Sequence, residues 1–572
     1  MIIQALNEYY ERLKQNPNTN IPLFGFSSEK IYFALVLNKS GKLVDVKDVR
    51  DKNGKKNIPK QLVVPASSKK ASGIDANFMW GNTGYVLGKD TKEHKDKNRP
   101  VKMFKAFKDF HHELGNALND DGMKSVLKFL DSWHPKEAEK LNHWEEMAGM
   151  NVVFQLDGER KYIHEHPVIH KKWNEYYEQN QSKYKAFCLI SGLKAPIARL
   201  HPSIKGVKDA QSMGASIVSF NLDAFCSYNR KQSYNAPISE NIAFNYVTAL
   251  NHLLRYESRQ RVQIGDTTTV FWAEGETPVE GFLKDILDPP KDSQVDLGDL
   301  RRFLEAVHEG KMPKNIEDTK DMKFYILGLS PNASRLSVRF WYVSTVEEIS
   351  RKIGQHFKDL KIVKSYDTDP EYPGMWHLLH ETAVQGKTEN ISPLLAGALM
   401  RSIITGVDYP SGLLATVINR IRADQKINYL RASLIKAYLT RNNRIRNYKG
   451  KEVSMCLNKE EKDIGYRLGR LFAVLEKAQK DAVPGANTTI KDRFYGSASA
   501  TPAVVFPQLL RLAQHHIQKS DYGANIEKWI EEIMCNVKQF PSHLRLEEQG
   551  MFAIGYYQQK PELYKKIEKK EK

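Results

Sequence analysis

The stretch FYILGLSPNASRLSVRFWY, Phe324–Tyr342, decides the fold class. Two runs rich in apolar and aromatic residues, Phe324–Leu329 and Leu336–Tyr342, are joined across Ser330–Arg335, where Pro, Asn and Ser supply a turn. The spacing predicts an antiparallel strand pair. In the second run Leu336, Val338, Phe340 and Tyr342 alternate with Ser337, Arg339 and Trp341, which predicts one buried face. Asn332 completes a formal glycosylation triplet, which carries no weight in a cytosolic protein.

Toward the C-terminus the periodicity becomes helical. From Ile391 apolar residues recur at helical spacing through GALMRSIITGVDYPSGLLATVINRIRADQKINYLRASLIKAYLTRNNRIRNYKGKE, with a break at Tyr409-Pro410. Asn458 with Glu461 reads as a helix N-cap pair ahead of the stripe Ile464, Leu468, Leu471, Phe472 and Leu475. Further helices are expected after Thr501-Pro502 and over Ile526–Val537.

Toward the N-terminus, Ile2, Ile3, Leu6, Tyr9, Tyr10 and Leu13 predict an amphipathic helix ended before Pro17. Ile31–Leu37, Lys42–Val46, Gln61–Pro65, a buried Ala215–Asn221 and the segment GDTTTVFWAE read as strands, and ENIAFNYVTALNHLL as a helix. The expected fold is therefore α+β. A mixed N-terminal α/β region with antiparallel strands, residues 1–385 and long enough for two subdomains, precedes a C-terminal all-α helical bundle. That bundle comprises a basic helical region, 390–454, and a helical segment, 455–572.

A chain of 572 residues with 41% apolar and 10% aromatic content can bury several cores. Its net charge of +18 points to a polyanion. The charge is concentrated: 18 Lys and Arg face 8 Asp and Glu between Lys39 and Asp109, and ten basic residues face only Asp424 between Ile418 and Lys451. Cys188, Cys226, Cys456 and Cys535 are far apart and form no C-x-x-C pair. With no signal-peptide pattern and no run of eighteen apolar residues, a cytoplasmic protein without a membrane span is expected.

Catalytic motifs are missing. There is no G-x-x-x-x-G-K-[ST], no G-x-G-x-x-G after a strand and no G-x-S-x-G, and no carboxylate spacing that would hold two metal ions. His164, His166 and His170 lack the company of a structural-zinc ligand pair, and His377–Glu381 is not the H-E-x-x-H order. We expect no catalytic residue, no metal and no cofactor.

Four basic clusters are candidates for nucleic acid. Lys52, Lys55, Lys56, Lys60, Lys69 and Lys70 fall on loops, followed by Ser67, Ser68, Ser72, Asn77 and Asn82 beside glycines that allow close backbone approach. The plain alternative is a lysine-rich edge that discourages aggregation. Arg199, His201, Lys205, Lys208, Gln211 and Ser212 share one polar loop, and Arg230, Lys231, Gln232, Ser233 and Asn235 a second. Arg420, Arg422, Lys426, Arg431, Lys436, Arg441, Arg444 and Arg446 are expected to line exposed helix faces, either as a groove for a single strand or as an ordinary basic surface.

The segments KAPIARLHPSIKGVKDAQSMGASIVSFN, QSYNAPISE, ALNHLL and GDTTTVFWAE resemble the large subunit of type I-C CRISPR surveillance (Cascade) complexes, the Csd family large protein. The likeness extends to MIIQALNEYYERL and to the Phe324–Trp341 stretch. It implies a non-catalytic subunit that reads the protospacer-adjacent motif in target double-stranded DNA, promotes strand opening, holds the displaced single strand and recruits a helicase-nuclease effector. The implied partners are CRISPR guide RNA, the Cascade backbone and guide-end-binding subunits, and small subunits. The family also implies a small subunit made from an internal start, for which Met455 is the candidate, giving 118 residues. Lys451-Glu452-Val453 can be encoded by a purine-rich ribosome-binding sequence upstream of it. The alternatives are a metal-dependent nuclease and an assembly protein that binds guide RNA only.

Overall fold

A computed structural model describes residues 1–53, 56–67, 73–90, 96, 98–287, 302–303, 305–306, 314–446 and 452–564. The chain divides into two compact units, Met1–Lys205 with Met213–His252, and Gly206–Ser212 with Leu253–Lys572. The division falls inside the expected 1–385 region, and both expected helical regions lie in the second unit.

In the first unit the opening helix Ile2–Gln15 buries Ala5, Leu6, Tyr9, Tyr10 and Leu13, the face its spacing predicts. The strands are β1 (Phe26–Ile31), β2 (Phe33–Leu37), β3 (Leu43–Asp48), β4 (Asp51–Asn53), β5 (Lys56–Ile58), β6 (Lys60–Pro65), β7 (Trp80–Asn82) and β8 (Asn151–Leu156), followed by β9 (Lys185–Phe187) and β10 (Lys194–Pro196). A four-stranded sheet runs in the order β3-β2-β8-β7, with β2 and β8 parallel and the other neighbours antiparallel. All five residues of β2 are buried. Phe33, Leu35 and Leu37 join Phe107, Phe129 and Trp173 from the covering helices in one core, while Ala34 joins Ile31, Val64 and Trp80 in another. The apolar run Ile31–Leu37 therefore serves two sheets, because Ile31 ends the β1–β6 ribbon and β2 begins two residues later.

Residues 215–221 do not form the expected buried strand. Of them only Ala215 is buried, through an isolated bridge to Ile204. Apolar and β-branched composition makes no strand where no neighbouring chain continues the ladder.

The second unit contains a meander of β11 (Arg261–Ile264), β12 (Thr267–Ala273), β13 (Lys323–Asn332) and β14 (Arg335–Thr345), antiparallel throughout. The predicted pair is β13–β14, but its single buried face is corrected by a bulge. Gly328 faces Phe340 and Leu329 faces Val338, which leaves Arg339 as the extra residue. Cross-strand partners share a face. Phe340 and Tyr342 thus remain on the core side with Phe324 and Ile326, whereas Val338 is shifted to the other side and is exposed. A Cβ at Gly328 would lie 2.3 Å from the Phe340 ring, so glycine lets that ring close over the strand.

Helix Val346–Leu360 leaves β14 directly, with Thr345 Oγ1 accepting from the Glu348 N–H. The helices that follow include Pro393–Thr405, Ser411–Asp424, Tyr429–Ile445, Ile464–Ala482, Ile490–Ala498, Pro502–Lys519, Gly523–Met534 and Leu546–Leu563. The cap of Ile464–Ala482 is Asp463, which accepts from the Tyr466 N–H, while Asn458 closes a turn by accepting from the Glu460 N–H. Asp463 is adjacent to the first helical turn and Asn458 is five residues too early to reach it.

Helices Ile464–Ala482 and Leu546–Leu563 touch backbone to backbone. A Cβ at Gly465, Gly469 or Gly555 would lie 2.1, 2.0 or 2.1 Å from the carbonyl oxygens of Glu548, Phe552 and Tyr466. Around this contact the Tyr466 hydroxyl donates to Gln558 at 2.6 Å, Arg470 Nε donates to Gln559 at 2.8 Å, and the Tyr556 hydroxyl donates to buried Glu476. Gly469→Ala is expected to cost ~3 kcal/mol or more, because the helices must separate. Gly496→Ala, where nothing lies within 4 Å of the added Cβ, is expected to stabilise by ~0.5–1 kcal/mol. Urea denaturation of the two variants checks this, and equal effects would show that the helices do not depend on backbone contact at Gly469.

Candidate nucleic-acid interface

In the first unit the segment between β6 and β7 leaves and returns to one point. The Trp80 indole N–H donates to Pro65 O at 2.8 Å, fixing the end of the segment against its start. Phe78 and Met79, near its end, are buried, and the Met79 N–H donates to His111 Nε2 at 2.9 Å. His111 Nδ1 lies 2.7 Å from Phe107 O, so the ring is neutral with its proton on Nδ1. Burial pushes the His111 pKa down from 6.5 to about 4. Met79 adopts a left-handed backbone, φ 67°, which a side chain other than glycine tolerates only where its surroundings fix it. Arg99 Nη2 donates to Gly73 O, tying the segment's second half to the helix Arg99–Gly115.

Among the residues this segment carries, Asn77 has a buried Oδ1 with no hydrogen-bond partner among the described residues. Asn82 Oδ1 accepts from the Tyr85 N–H and caps the short helix Thr83–Val86, so it is spent locally. Lys55, Ser68, Lys69, Lys70 and Ser72 lie outside the described residues. Lys52 is exposed on the β4–β5 hairpin, whose register sets it opposite Asn57. Lys56 lies on the same hairpin.

Much of the surrounding positive charge is committed. Arg50 is held by Asp48 at 2.7 Å and Glu146, with its guanidinium 4.9 Å from the Phe33 ring centre. Lys39, Lys89, Lys102 and Lys108 pair with Asp121, Glu139, Asp96 and Asp131. Lys42, Lys52, Lys60 and Lys105 are exposed with no ion pair among the described residues. Exposed pairs are weak and yield readily to a phosphate.

The two polar loops of residues 199–235 divide between the units, residues 206–212 belonging to the second. In the first unit Arg199 is exposed, and its carbonyl accepts from the Ser233 N–H, which joins the two loops. Lys205, Arg230 and Lys231 are exposed. Asn235 works inward: Oδ1 accepts from the Ser227 N–H, and Nδ2 donates to the carbonyls of Arg230 and Gln232. His201 is buried 2.8 Å from the Tyr246 hydroxyl. Lys208, Gln211 and Ser212 are exposed in the second unit, where the Lys208 N–H donates to Thr268 Oγ1.

The expected arginine-lined helical face is corrected. The helix Tyr429–Ile445 is buried on nearly every side, with Arg431 5% and Arg441 1% exposed. Arg431 binds Glu381 at 2.8 Å and also Asp424, to which Arg420 is paired as well. Arg422 donates to Gln549. Asp359, itself buried, receives Arg441 Nε at 2.9 Å and both terminal nitrogens of Arg444 at 2.8 and 2.9 Å. Burial alone would raise the Asp359 pKa, but the Arg444 hydrogen bond and the two guanidinium charges hold it below the usual range. Buried Lys436 donates to Asp359 O, and its burial pushes its pKa down. Charge counting along a helix cannot tell an outward arginine from one that answers a distant carboxylate. Of the eight cations, Lys426 and Arg446 are exposed and have no ion pair among the described residues.

The three histidines have separate surroundings. His164 is buried beside Tyr162, His166 lies 2.9 Å from both Asp120 and Glu159, and His170 stacks on Phe26. Among the described residues no group of three His, Cys, Asp or Glu side chains is placed to hold a metal ion. Nor, among them, is any helix long and apolar enough to cross a membrane. Residues that sequence reasoning missed are Trp80, Met79 and His111. Their roles come from long-range contacts or backbone conformation, which the residue types do not announce.

The chain is a CRISPR-associated protein. The family model described as CRISPR-associated protein (Cas_Csd1) matches residues 6–564, and the chain belongs to that family. No curated protein matches it.

Two outcomes are expected from these placements. His111 and His164 both have pKa values pushed by burial from 6.5 to about 4, so the folded state binds fewer protons than the unfolded chain between those values. Their contribution to stability is fully present above pH 6.5 and is lost as pH drops toward 4, by ~3 kcal/mol for each imidazole. Denaturation midpoints across that range should show the fall, and His111→Gln should reduce it. Separately, Asp359→Ala leaves Arg441 charged and buried, with an expected cost of ~3–5 kcal/mol in urea unfolding, against less than ~1 kcal/mol for Lys39→Ala at an exposed pair.

Proposed function

We propose that this chain is the large subunit of a type I-C CRISPR surveillance complex, and that it recognises the protospacer-adjacent motif in double-stranded target DNA without catalysing a reaction. It promotes strand opening, holds part of the displaced strand and presents a surface to a helicase-nuclease, while the guide RNA reads the remaining sequence by pairing. Its partners are the backbone and guide-end-binding subunits and small subunits, in the cytoplasm. Family membership supports the setting.

The observation that carries the motif-reading role is the segment between Pro65 and Trp80. Its ends are pinned together by the Trp80–Pro65 hydrogen bond, its return is fixed by the Met79–His111 hydrogen bond, and it carries the half-buried Asn77. Base-edge readout needs hydrogen-bonding side chains on a backbone held in place, and phosphate contacts need lysines around them. Lys69 and Lys70 belong to this segment by sequence. In the helical part, Lys426 and Arg446 replace the buried arginines as the contacts for a displaced strand. A separate product from Met455 is part of the same proposal. Its gene sequence tests it, since codons that break the purine run over Lys451-Glu452-Val453 would remove the basis for an internal start there.

Competition binding with matched and mismatched duplexes tests the main role. Replacing Lys69 and Lys70 by alanine should weaken all duplexes and lower the salt slope by about 2. Asn77→Ala should leave total affinity within about threefold and reduce discrimination by about tenfold, the scale of one specific base contact. Discrimination that survives every substitution from Ser67 to Asn82 would overturn the assignment.

A further inference from the structure

The most exposed large aromatic side chain in the described structure sits on a backbone that resists it. Tyr228 is 94% exposed, and it and Asn229 both adopt left-handed conformations, φ 51° and 57°. They are the central residues of a tight turn in which the Arg230 N–H donates to Ser227 O at 2.9 Å. A turn with two such residues is ordinarily filled by Asn-Gly or Gly-Gly. Asn229 suits its place and tyrosine does not.

The turn keeps its shape because Asn235 grips it from behind. Oδ1 accepts from the Ser227 N–H at 2.8 Å, and Nδ2 donates to Arg230 O at 2.8 Å and Gln232 O at 2.9 Å. Gln232 is itself left-handed, φ 52°, and the next residue, Ser233, is buried. Behind the turn the Tyr234 ring rests 4.5 Å from that of Tyr184. The outcome is a fixed platform that carries an aromatic ring into solvent, with Arg230 and Lys231 exposed beside it. Tyr256 is 93% exposed but stands next to Glu257 and on ordinary backbone.

We propose that Tyr228 is a stacking platform for an unpaired base of single-stranded nucleic acid, with Arg230 and Lys231 on the flanking phosphates and Asn235 as the positioning residue. A flat ring with adjacent cations is what binds a single strand without reading its sequence. An aromatic held rigid before binding loses little conformational freedom when a base arrives. Backbone strain that the local fold maintains, instead of relieving with glycine, accords with a side chain kept for contact. This rests on the reading of the chain as a nucleic-acid-binding subunit but assigns a ligand and a residue that the motif-reading role does not use.

The full chain is titrated with single-stranded DNA and RNA oligonucleotides that contain 2-aminopurine, following affinity and fluorescence quenching. Wild type should quench the probe. Tyr228→Ala should lose the quenching and bind about tenfold more weakly, whereas Tyr228→Trp keeps both and Tyr256→Ala changes neither. Tyr228→Gly should raise the thermal midpoint while losing quenching, a combination that a structural tyrosine would not give. The DNA and RNA arms distinguish a displaced strand from a guide. Unchanged affinity and quenching in Tyr228→Ala, or equal losses in Tyr256→Ala, would overturn the proposal. Duplex discrimination measured on the same variants separates the two readings: if discrimination is intact and Tyr228→Ala is silent, stacking alone fails. If quenching depends on Tyr228 and no duplex is discriminated, motif reading alone fails.

Discussion

Asp359 is the constraint on which the second unit depends. A carboxylate buried at the end of helix Val346–Leu360 is tolerated only when its charge is answered, and Arg441 and Arg444 answer it from a helix about eighty residues further on. Lys436 holds the adjacent carbonyl from that same helix. Because Val346–Leu360 leaves the sheet at Thr345, this one anion joins the β11–β14 meander to the helical core. Its other consequence is functional. Arginines that sequence places on a basic surface are consumed internally, so the net positive charge of the chain overstates what a polyanion can reach.

The C-terminal helices are held in a different way. Backbone contact at Gly465, Gly469 and Gly555 brings Ile464–Ala482 and Leu546–Leu563 closer than any side chain would permit. The second of these helices also meets the rest of the unit, since a Cβ at Gly550 would touch Ile435, Leu414 and Leu439. Met455 lies just before this assembly, and its carbonyl accepts from the Val363 N–H. A product beginning there would retain the glycine-packed pair and would leave the Gly550 side of the last helix without those three partners.

Hydrophobic spacing made most of the fold legible. The first helix, the β13–β14 pair, the helical run from Ile391 and the break at Tyr409-Pro410 all rest on local patterns that packing then reinforces. What could not be read depends on partners far along the chain or on backbone angles. The bulge at Arg339 reverses a face that simple alternation assigns, and the pairing of Arg441 with Asp359 has no local signature. At the candidate interface, sequence assigned Lys52, Lys56 and Lys60 to loops where the chain forms strands, and it counted as contacts side chains that the fold uses internally. Asn82 and Asn235 are spent on the backbone, while Tyr228, whose conformation is written in its neighbours, is the side chain left facing outward.

On the proposed function, nucleic acid meets the loops of the first unit and not the arginines of the helix Tyr429–Ile445. Amide hydrogen exchange of the full chain, with and without duplex DNA, tests it most directly. New protection is expected at residues 66–79 and 227–235, with little change across 429–445. Protection confined to 429–445, with the loops unaffected, would contradict it.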